Sequence, residues 1–271
     1  MAARNDGPSC SMAICLKSTD QIDHMRQAGR LVHEALQRCR AICEPGVTTA
    51  RLDQEAEEVL AESGAIGLFK NYPAPSPNVP PFPAVTCVSV NEQVVHGIPG
   101  DRVVADGDLV SIDFGVRING WCGDAATTIL VGQVRPAWKK LCQVTEHVLQ
   151  VAIENLRPGR RWSEIARLMQ NYAEESGVSV VKDFVGHGIG EQMHEEPKVP
   201  NFVSKELLRH DITLEPGMVL AIEPMCALGG EQVRLGADGW TVVTASGEPA
   251  AHYEHTVAVT EDGCEVLTDG G

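Results

Sequence analysis

The sequence predicts an α+β fold in which blocks of helices alternate with blocks of strands. The first observation is the element order, because two helical segments precede a run of strands and two further helices precede a second run. The second is Asn119-Gly120, which lies between two β-rich segments and is the strongest short signal for a hairpin. The third is composition: 43% hydrophobic and 22% charged residues are typical of a globular domain.

Capping residues and breakers delimit the four predicted helices. Ser18 followed by Gln21 forms a capping box that starts the first helix, and Pro45-Gly46 stops it. Gly64 ends the second helix, and Ser163 is the predicted N-cap of the fourth. The last three helices are predicted over residues 49–62, 137–156 and 163–176.

A proline-rich segment separates the first two helices from the first strands. Six of the sixteen prolines lie between positions 73 and 83, which excludes a helix or a central strand and predicts an extended surface segment. The strands are predicted over residues 85–95, 109–118, 121–131, 219–226, 241–244 and 252–260. We expect a flexible N-terminal tail over residues 1–17 and a single domain over residues 18–271.

Charge and cysteine content exclude several classes of protein. The 22 basic and 37 acidic residues give a net charge of −15, which disfavours DNA as a partner. The nine cysteines form no CxxC pair, which favours reduced thiols and a cytoplasmic location over a disulfide framework. We also expect no membrane association, because the apolar stretches are too short to span a bilayer.

The predicted hairpin brings two aspartates together. With Asn119-Gly120 as a two-residue turn, Asp113 lies opposite Ala126 and Asp124 lies opposite Gly115. The two carboxylates then share one face, with their Cα atoms roughly 7–8 Å apart. They would repel each other unless a cation lay between them. The alternative is two solvated aspartates on an exposed hairpin.

Three further residues extend this carboxylate pair. His187 lies among glycines that permit tight turns, Glu223 ends an apolar run, and Glu254 enters another apolar strand. Each has a structural alternative, as an incidental histidine or a solvated strand-end glutamate. Four carboxylates and one imidazole together favour two divalent ions such as Mn, Fe, Co or Zn.

The order of these residues and their flanking motifs resemble the "pita-bread" metallopeptidases, and type I methionine aminopeptidases in particular. The similarity covers residues 18–268, nearly the whole chain. The motifs that carry it are Asn91-Glu-Gln-Val-Val-His-Gly-Ile-Pro, Gly186-His-Gly-Ile-Gly, His194-Glu-Glu-Pro, Ile222-Glu-Pro-Met and Tyr253-Glu-His-Thr.

The resemblance implies a pseudo-twofold fold with a curved antiparallel sheet and helices on its outer face. It implies a metal-dependent aminopeptidase that removes the initiator methionine before a small second residue, by means of a hydroxide activated by two metal ions. Asp124 and Glu254 would bridge the ions, His187 and Glu223 would complete one shell, and Asp113 the other.

The resemblance also assigns roles around the metals. Glu223 would move protons, and His194 would hydrogen-bond the scissile carbonyl. His96 would lie near the scissile nitrogen or the neighbouring peptide group. Cys87 and Trp240 could equally be packing residues. The methionine pocket would be formed by Phe69 or Tyr72, together with Phe82, Cys87, Met193 and Trp240.

Substrates would be peptides and nascent chains with a free α-amine. We expect a monomer. The ribosome is one candidate partner, and a basic cluster at Arg157, Arg160 and Arg161 is a candidate docking surface for it that the sequence leaves open. Two alternatives remain: a prolidase or Xaa-Pro aminopeptidase of the same fold, which would share the metal ligands, and a non-catalytic binding protein of this fold.

Overall fold

The computed structural model describes residues 14–74 and 76–271. The helices are α1 (Thr19–Ile42), α2 (Thr49–Ser63), α3 (Pro136–Asn155), α4 (Trp162–Glu175) and α5 (Lys205–Arg209). The strands of the first half are β1 (Ile66–Gly67), β2 (Cys87–Val90), β3 (Gln93–Val95), β4 (Leu109–Ile118) and β5 (Trp121–Leu130). Those of the second half are β6 (Ser179–Val180), β7 (Gly186–Gly188), β8 (Glu195–Val199), β9 (Val219–Ile222), β10 (Met225–Ala227), β11 (Val233–Leu235), β12 (Val242–Thr244), β13 (Ala250–His252), β14 (His255–Val259) and β15 (Cys264–Val266).

Each half pairs two long helices with an antiparallel sheet. In the first half, β4 pairs with β1, β2 and β5, and α1 and α2 pack against these strands. In the second half, the strand order is β15-β14-β9-β7-β8, and α3 and α4 enclose the largest apolar core with the adjoining strands. Two three-stranded sheets, β13-β10-β6 and β11-β12-β3, complete the fold. The predicted α+β class is confirmed.

The two halves meet along β5. Glu254 and Ala126 exchange backbone hydrogen bonds of 2.9 and 3.3 Å. The hydroxyl of Thr256 accepts from the Asp124 amide and donates to the Asp124 carbonyl. These contacts fix residues 254–256 of the second half against the strand that carries Asp124.

Several local predictions are confirmed. Ser18 and Gln21 form a reciprocal capping box, and Gly64 ends α2 in the left-handed conformation. In the hairpin, Asp113 lies opposite Ala126 and Gly115 opposite Asp124, as the two-residue turn requires.

Ser163 as an N-cap is wrong. It lies inside α4, whose N-cap residue Arg161 makes no side-chain cap. Asp211 caps the helix instead: its carboxylate accepts from the Ser163 amide at 3.0 Å and from the Ser163 hydroxyl at 2.6 Å. The N-terminal cap of α4 is therefore provided by a residue 48 positions away and not by the serine that the local sequence indicated.

Three predicted strands are each two strands in the structure. The segment 85–95 turns at Asn91, which has φ 57°. The segment 219–226 breaks at Glu223-Pro224, where proline has no amide to donate. The segment 252–260 breaks where Glu254 leaves its own sheet to pair with Ala126. Two of these breaks fall at candidate site residues.

Most of the predicted tail, residues 1–13, lies outside the described residues. The structure describes the last four positions of that tail, of which Lys17 is buried. Lys17 is 6% exposed, its amide donates to the Gly217 carbonyl, and its ammonium group lies 2.7 Å from a carboxylate oxygen of Glu195. The chain is therefore anchored before α1 begins.

The proline-rich segment is irregular where the structure describes it, as predicted, and Pro75 is outside the described residues. Eight cysteines fall within the described ranges, and all are free thiols. Of the helices between residues 14 and 271 that the structure describes, none is long and apolar enough to cross a membrane.

Glycine at 186 permits the close approach of β7 and β9. A Cβ atom there would lie 2.4 Å from the Ala221 carbonyl oxygen, so the strands would have to separate. We expect Gly186→Ala to destabilise the protein by about 1–3 kcal/mol, as overpacking does. Thermal unfolding measures this. Gly263→Ala is the control, since its Cβ meets open space, and equal melting temperatures for the two variants would contradict the prediction.

Candidate metal centre and adjoining pocket

A cleft of about 1320 Å³ contains the whole predicted site. Every candidate residue from the sequence lines it, although these residues come from both halves of the chain. They are Phe69, Tyr72, Phe82, Cys87, His96, Asp113, Asp124, His187, Met193, His194, Glu223, Trp240 and Glu254. The cleft has a polar end with the carboxylates and an apolar end with the aromatic side chains.

Asp113 and Asp124 reach the polar end from the hairpin of β4 and β5. Gly115, opposite Asp124, provides the space: a Cβ there would lie 3.0 Å from an Asp124 carboxylate oxygen. Asp124 is 4% exposed, and one oxygen of each aspartate is buried without a hydrogen-bond partner. Solvated aspartates on an exposed hairpin are therefore excluded.

Glu223 and Glu254 complete the carboxylates at the two strand breaks. The Glu223 carbonyl accepts from the Asn201 amide group, and Glu254 is held beside Asp124 by its bridge to Ala126. Glu254 is only 3% exposed. The irregular backbone at both positions directs the two glutamates into the cleft while the flanking strands remain paired.

His187 lies in the middle of β7 and not in a tight turn. The neighbouring glycines instead let strands approach: a Cβ at Gly188 would lie 2.3 Å from the Glu196 carbonyl oxygen. The Nδ1 atom of His187 lies 2.9 Å from the Gly188 carbonyl oxygen, which assigns the proton to Nδ1. The Nε2 lone pair is therefore available to a ligand in the cleft, 3.6 Å from Glu223.

Ionisation of the four carboxyl groups is unfavourable in the absence of a cation. Burial, followed by repulsion from neighbouring carboxylates, raises the pKa of Asp113, Glu223 and Glu254 well above their usual values. Burial raises the pKa of Asp124 to about 7. Within residues 14–74 and 76–271, no lysine or arginine forms an ion pair with any of the four.

These side chains fit divalent ions. Ligand atoms of Asp124, His187 and Glu254 lie within 4.8 Å of one another, and a second group shares Glu254. The donors are carboxylate oxygens and imidazole nitrogen, which suit Mn, Fe, Co or Zn. The unpartnered oxygens of Asp113 and Asp124 are the buried acceptors that a cation would satisfy. Asp113 belongs to neither three-residue group.

His252 is a candidate metal ligand that the sequence analysis missed. It belongs to the second group, with Glu223 and Glu254, and is 2% exposed. Its position two residues before Glu254 could have revealed it, because alternate residues of a strand face the same side.

The apolar end holds five of the six predicted pocket residues in one buried cluster: Phe69, Phe82, Cys87, Met193 and Trp240. Phe82 and Trp240 meet edge to face, and the Trp240 indole donates to the Pro80 carbonyl at 2.9 Å. The proline-rich segment therefore forms part of the pocket wall. Burial, then the nearby Asp113 carboxylate, raises the pKa of the Cys87 thiol, so it remains protonated.

Tyr72 lies outside that cluster and contacts a histidine instead. It is 39% exposed, and its hydroxyl lies 3.1 Å from Nδ1 of His194. The His194 ring lies 4.4 Å from the His187 ring. His96 packs edge to face on Phe184. Burial lowers the pKa of His96 to about 4 and also lowers that of His194, so both are neutral at pH 7.

Comparison with known proteins places this geometry in a family. Residues 23–261 match metallopeptidase family M24. The chain belongs to metallopeptidase family M24. This membership confirms the expected pita-bread fold and the hydrolase class.

Relatives of the M24 chain align over nearly its full length. It is 44% identical to methionine aminopeptidase 1 of Bacillus subtilis over 95% of this chain and 99% of that protein. The chain is 46% identical to the methionine aminopeptidase of Clostridium perfringens, over 94% of this chain and 98% of that protein. The crystal structure of methionine aminopeptidase from Thermotoga maritima has a TM-score of 0.88 at 38% identity, over 94% of this chain and 99% of that chain.

The metal-free M24 protein is expected to lose stability as pH rises from about 4, the pKa of unfolded carboxyl groups. A carboxyl group whose pKa is raised by folding stabilises the protein below its unfolded pKa, and that contribution disappears as pH rises through the folded value. For Asp124 this window reaches about pH 7. Thermal unfolding of chelated protein across this range measures the effect.

Asp113→Asn is the control for this pH dependence. Removing one carboxylate should flatten the decline, and a divalent ion should reverse it in the unmodified protein at pH 7.5. Parallel pH profiles for both proteins without metal would contradict the electrostatic account.

Proposed function

We propose that this M24 enzyme is a methionine aminopeptidase that removes an N-terminal methionine when the next residue is small. One observation carries the proposal: an apolar pocket of methionine-compatible chemistry adjoins the buried carboxylate and imidazole cluster in a single cleft. Methionine is unbranched and polarizable, and it fills irregular apolar spaces well. The curated relatives with this name support the same conclusion.

Two divalent ions are the proposed cofactors. Asp124 and Glu254 would be shared between them, with His187, Glu223 and Asp113 completing the protein ligands. When bound, the ions supply the positive charge that polarises a carbonyl and makes water nucleophilic at neutral pH. The identity of the metal among Co, Mn, Fe and Zn stays a prediction.

The chain's own side chains would position the peptide and move protons. Glu223 reaches the cleft with a carboxylate whose pKa is raised by burial, which suits a group that accepts and returns a proton. His194 would donate Nε2–H to the scissile carbonyl as negative charge develops. This requires Nδ1 to accept a hydrogen bond, and the Tyr72 hydroxyl is placed to donate it.

His96 would contact the peptide near the scissile nitrogen. Its backbone has φ 59° and directs the ring into the cleft opposite Phe184. Because the ring is neutral at pH 7, it offers both a donor and an acceptor to a peptide group. The second residue of the substrate would lie near this histidine, and we expect that side chain to be limited in size.

Substrate choice tests the proposal. We expect efficient cleavage of Met-Ala-Ser, poor cleavage of Met-Lys-Ser, and none of formyl-Met-Ala-Ser, because the free α-amine binds in the cleft. Leu-Ala-Ser should react tens- to hundreds-fold more slowly than Met-Ala-Ser, since one shape mismatch is worth about 1–3 kcal/mol. The measurement is kcat/KM for each peptide with added metal.

Asp124→Asn keeps the shape of the side chain, removes a charge, and serves as the inactive control. Equal rates on Met-Ala-Ser and Met-Lys-Ser would overturn the claim about the second residue. A general preference for Xaa-Pro peptides would assign the enzyme to the prolidase class, and metal binding without any hydrolysis would indicate a binding protein.

Tyr72→Phe tests the orientation of His194. The variant keeps the ring and removes only the hydroxyl that lies 3.1 Å from Nδ1. Loss of one hydrogen bond of about 1 kcal/mol should lower kcat roughly fivefold with little change in KM. Tyr172→Phe, which alters a tyrosine that packs on His147 and does not line the cleft, is the matched control. An unchanged kcat in Tyr72→Phe would refute the positioning role.

A further inference from the structure

His252 has a buried imidazole nitrogen with no partner. Its Nε2 atom makes no hydrogen bond, and the side chain is 2% exposed. That nitrogen lies 3.8 Å from one oxygen of Glu223 and 4.0 Å from one oxygen of Glu254. Both distances exceed a hydrogen bond. An unpaired polar atom in such a position is costly unless something else satisfies it.

The spacing matches that of two ligands on one ion. Metal–ligand distances of about 2.0–2.2 Å place neighbouring donor atoms roughly 3–4 Å apart. His187 stands in the same relation to the other oxygen of Glu223, with Nε2 at 3.6 Å. Glu223 therefore has one imidazole nitrogen facing each of its two carboxylate oxygens.

The backbone holds His252 firmly in this position. Its amide donates to the Thr128 hydroxyl at 2.9 Å, and that hydroxyl donates to the His252 carbonyl at 2.8 Å. The hydroxyl also lies 2.8 Å from the Ser111 hydroxyl, so its place is fixed in turn. The His252 side chain reaches to within 4.0 Å of a Glu254 carboxylate oxygen, while the Tyr253 hydroxyl donates to the Thr128 carbonyl.

We propose that His252 is a further metal ligand, which binds through Nε2 and gives the centre a second imidazole beside His187. The inference rests on the proposed function in that it concerns the same two ions. A second imidazole shifts the donor set away from all-oxygen chemistry, which suits Mn, and toward donors preferred by Zn, Co and Fe. This chain should accordingly discriminate more strongly for zinc over manganese than a centre with one histidine.

Metal titrations of the full chain test this directly. Wild type and His252→Gln are stripped with chelator, and the affinities for Zn²⁺ and Mn²⁺ are measured by calorimetry. We expect His252→Gln to weaken zinc binding by about 10-fold or more, the scale seen when metal surroundings are altered, and manganese binding by much less. His255→Gln is the control, because His255 is partly buried nearby and bonds Thr268 instead of facing the cluster.

Nitrogen NMR of the wild-type protein provides a test that does not depend on how the variant folds. In ¹⁵N-histidine-labelled protein, added zinc should move the Nε2 resonances of both His187 and His252 to the zinc-bound range. A response of His187 alone, or a His252→Gln variant with wild-type zinc affinity, would overturn the proposal.

Peptide hydrolysis is measured separately on the same metal-loaded wild type. Two zinc-bound imidazoles without cleavage of Met-Ala-Ser would support the ligand and refute the proposed function. Cleavage of Met-Ala-Ser with only one zinc-bound imidazole would support the proposed function and refute His252 as a ligand.

Discussion

Burial of four carboxylates in one cavity is the constraint on which the rest of the structure depends. Neighbouring carboxylates in a poorly solvated site raise one another's pKa. Within the described residues, no lysine or arginine forms an ion pair with the four carboxylates. The site therefore needs either protons or a multivalent cation. The surrounding hydrogen bonds hold the carboxylate backbones in place: Thr256 secures Asp124, and the bridge to Ala126 secures Glu254.

The two halves of the fold make this burial possible by each supplying part of the cluster. The first half presents Asp113 and Asp124 on a regular hairpin, where alternation alone directs both side chains to one face. The second half presents Glu223 and Glu254 at strand breaks, where the backbone leaves its ladder to reach β5. Glycines 186 and 188 allow β7 to pack closely enough to add His187. Neither half contains the cluster by itself.

The same cleft combines this carboxylate-lined end with an apolar end. Burial of an apolar side chain in the pocket of Phe82, Met193 and Trp240 is favourable, because it removes apolar surface from water. In the proposed function, a peptide bond attached to that side chain would lie next to the carboxylates and the neutral imidazoles of His96 and His194. Part of the wall comes from the proline-rich segment, whose Pro80 carbonyl accepts the Trp240 indole proton.

The sequence by itself determined the elements with local causes: the capping box at Ser18, the end of α2 at Gly64 and the hairpin that pairs Asp113 with Ala126. The resemblance of the motifs to a known family then predicted which residues line the cleft. Tertiary structure decided what depends on distant partners. Asp211 caps α4 in place of Ser163, Lys17 is buried beside Glu195, and His252 joins the carboxylates. The first two contacts join residues far apart in the chain, so neither propensity nor spacing encodes them. The position of His252 beside Glu223 as well as Glu254 is likewise set only by the folded chain.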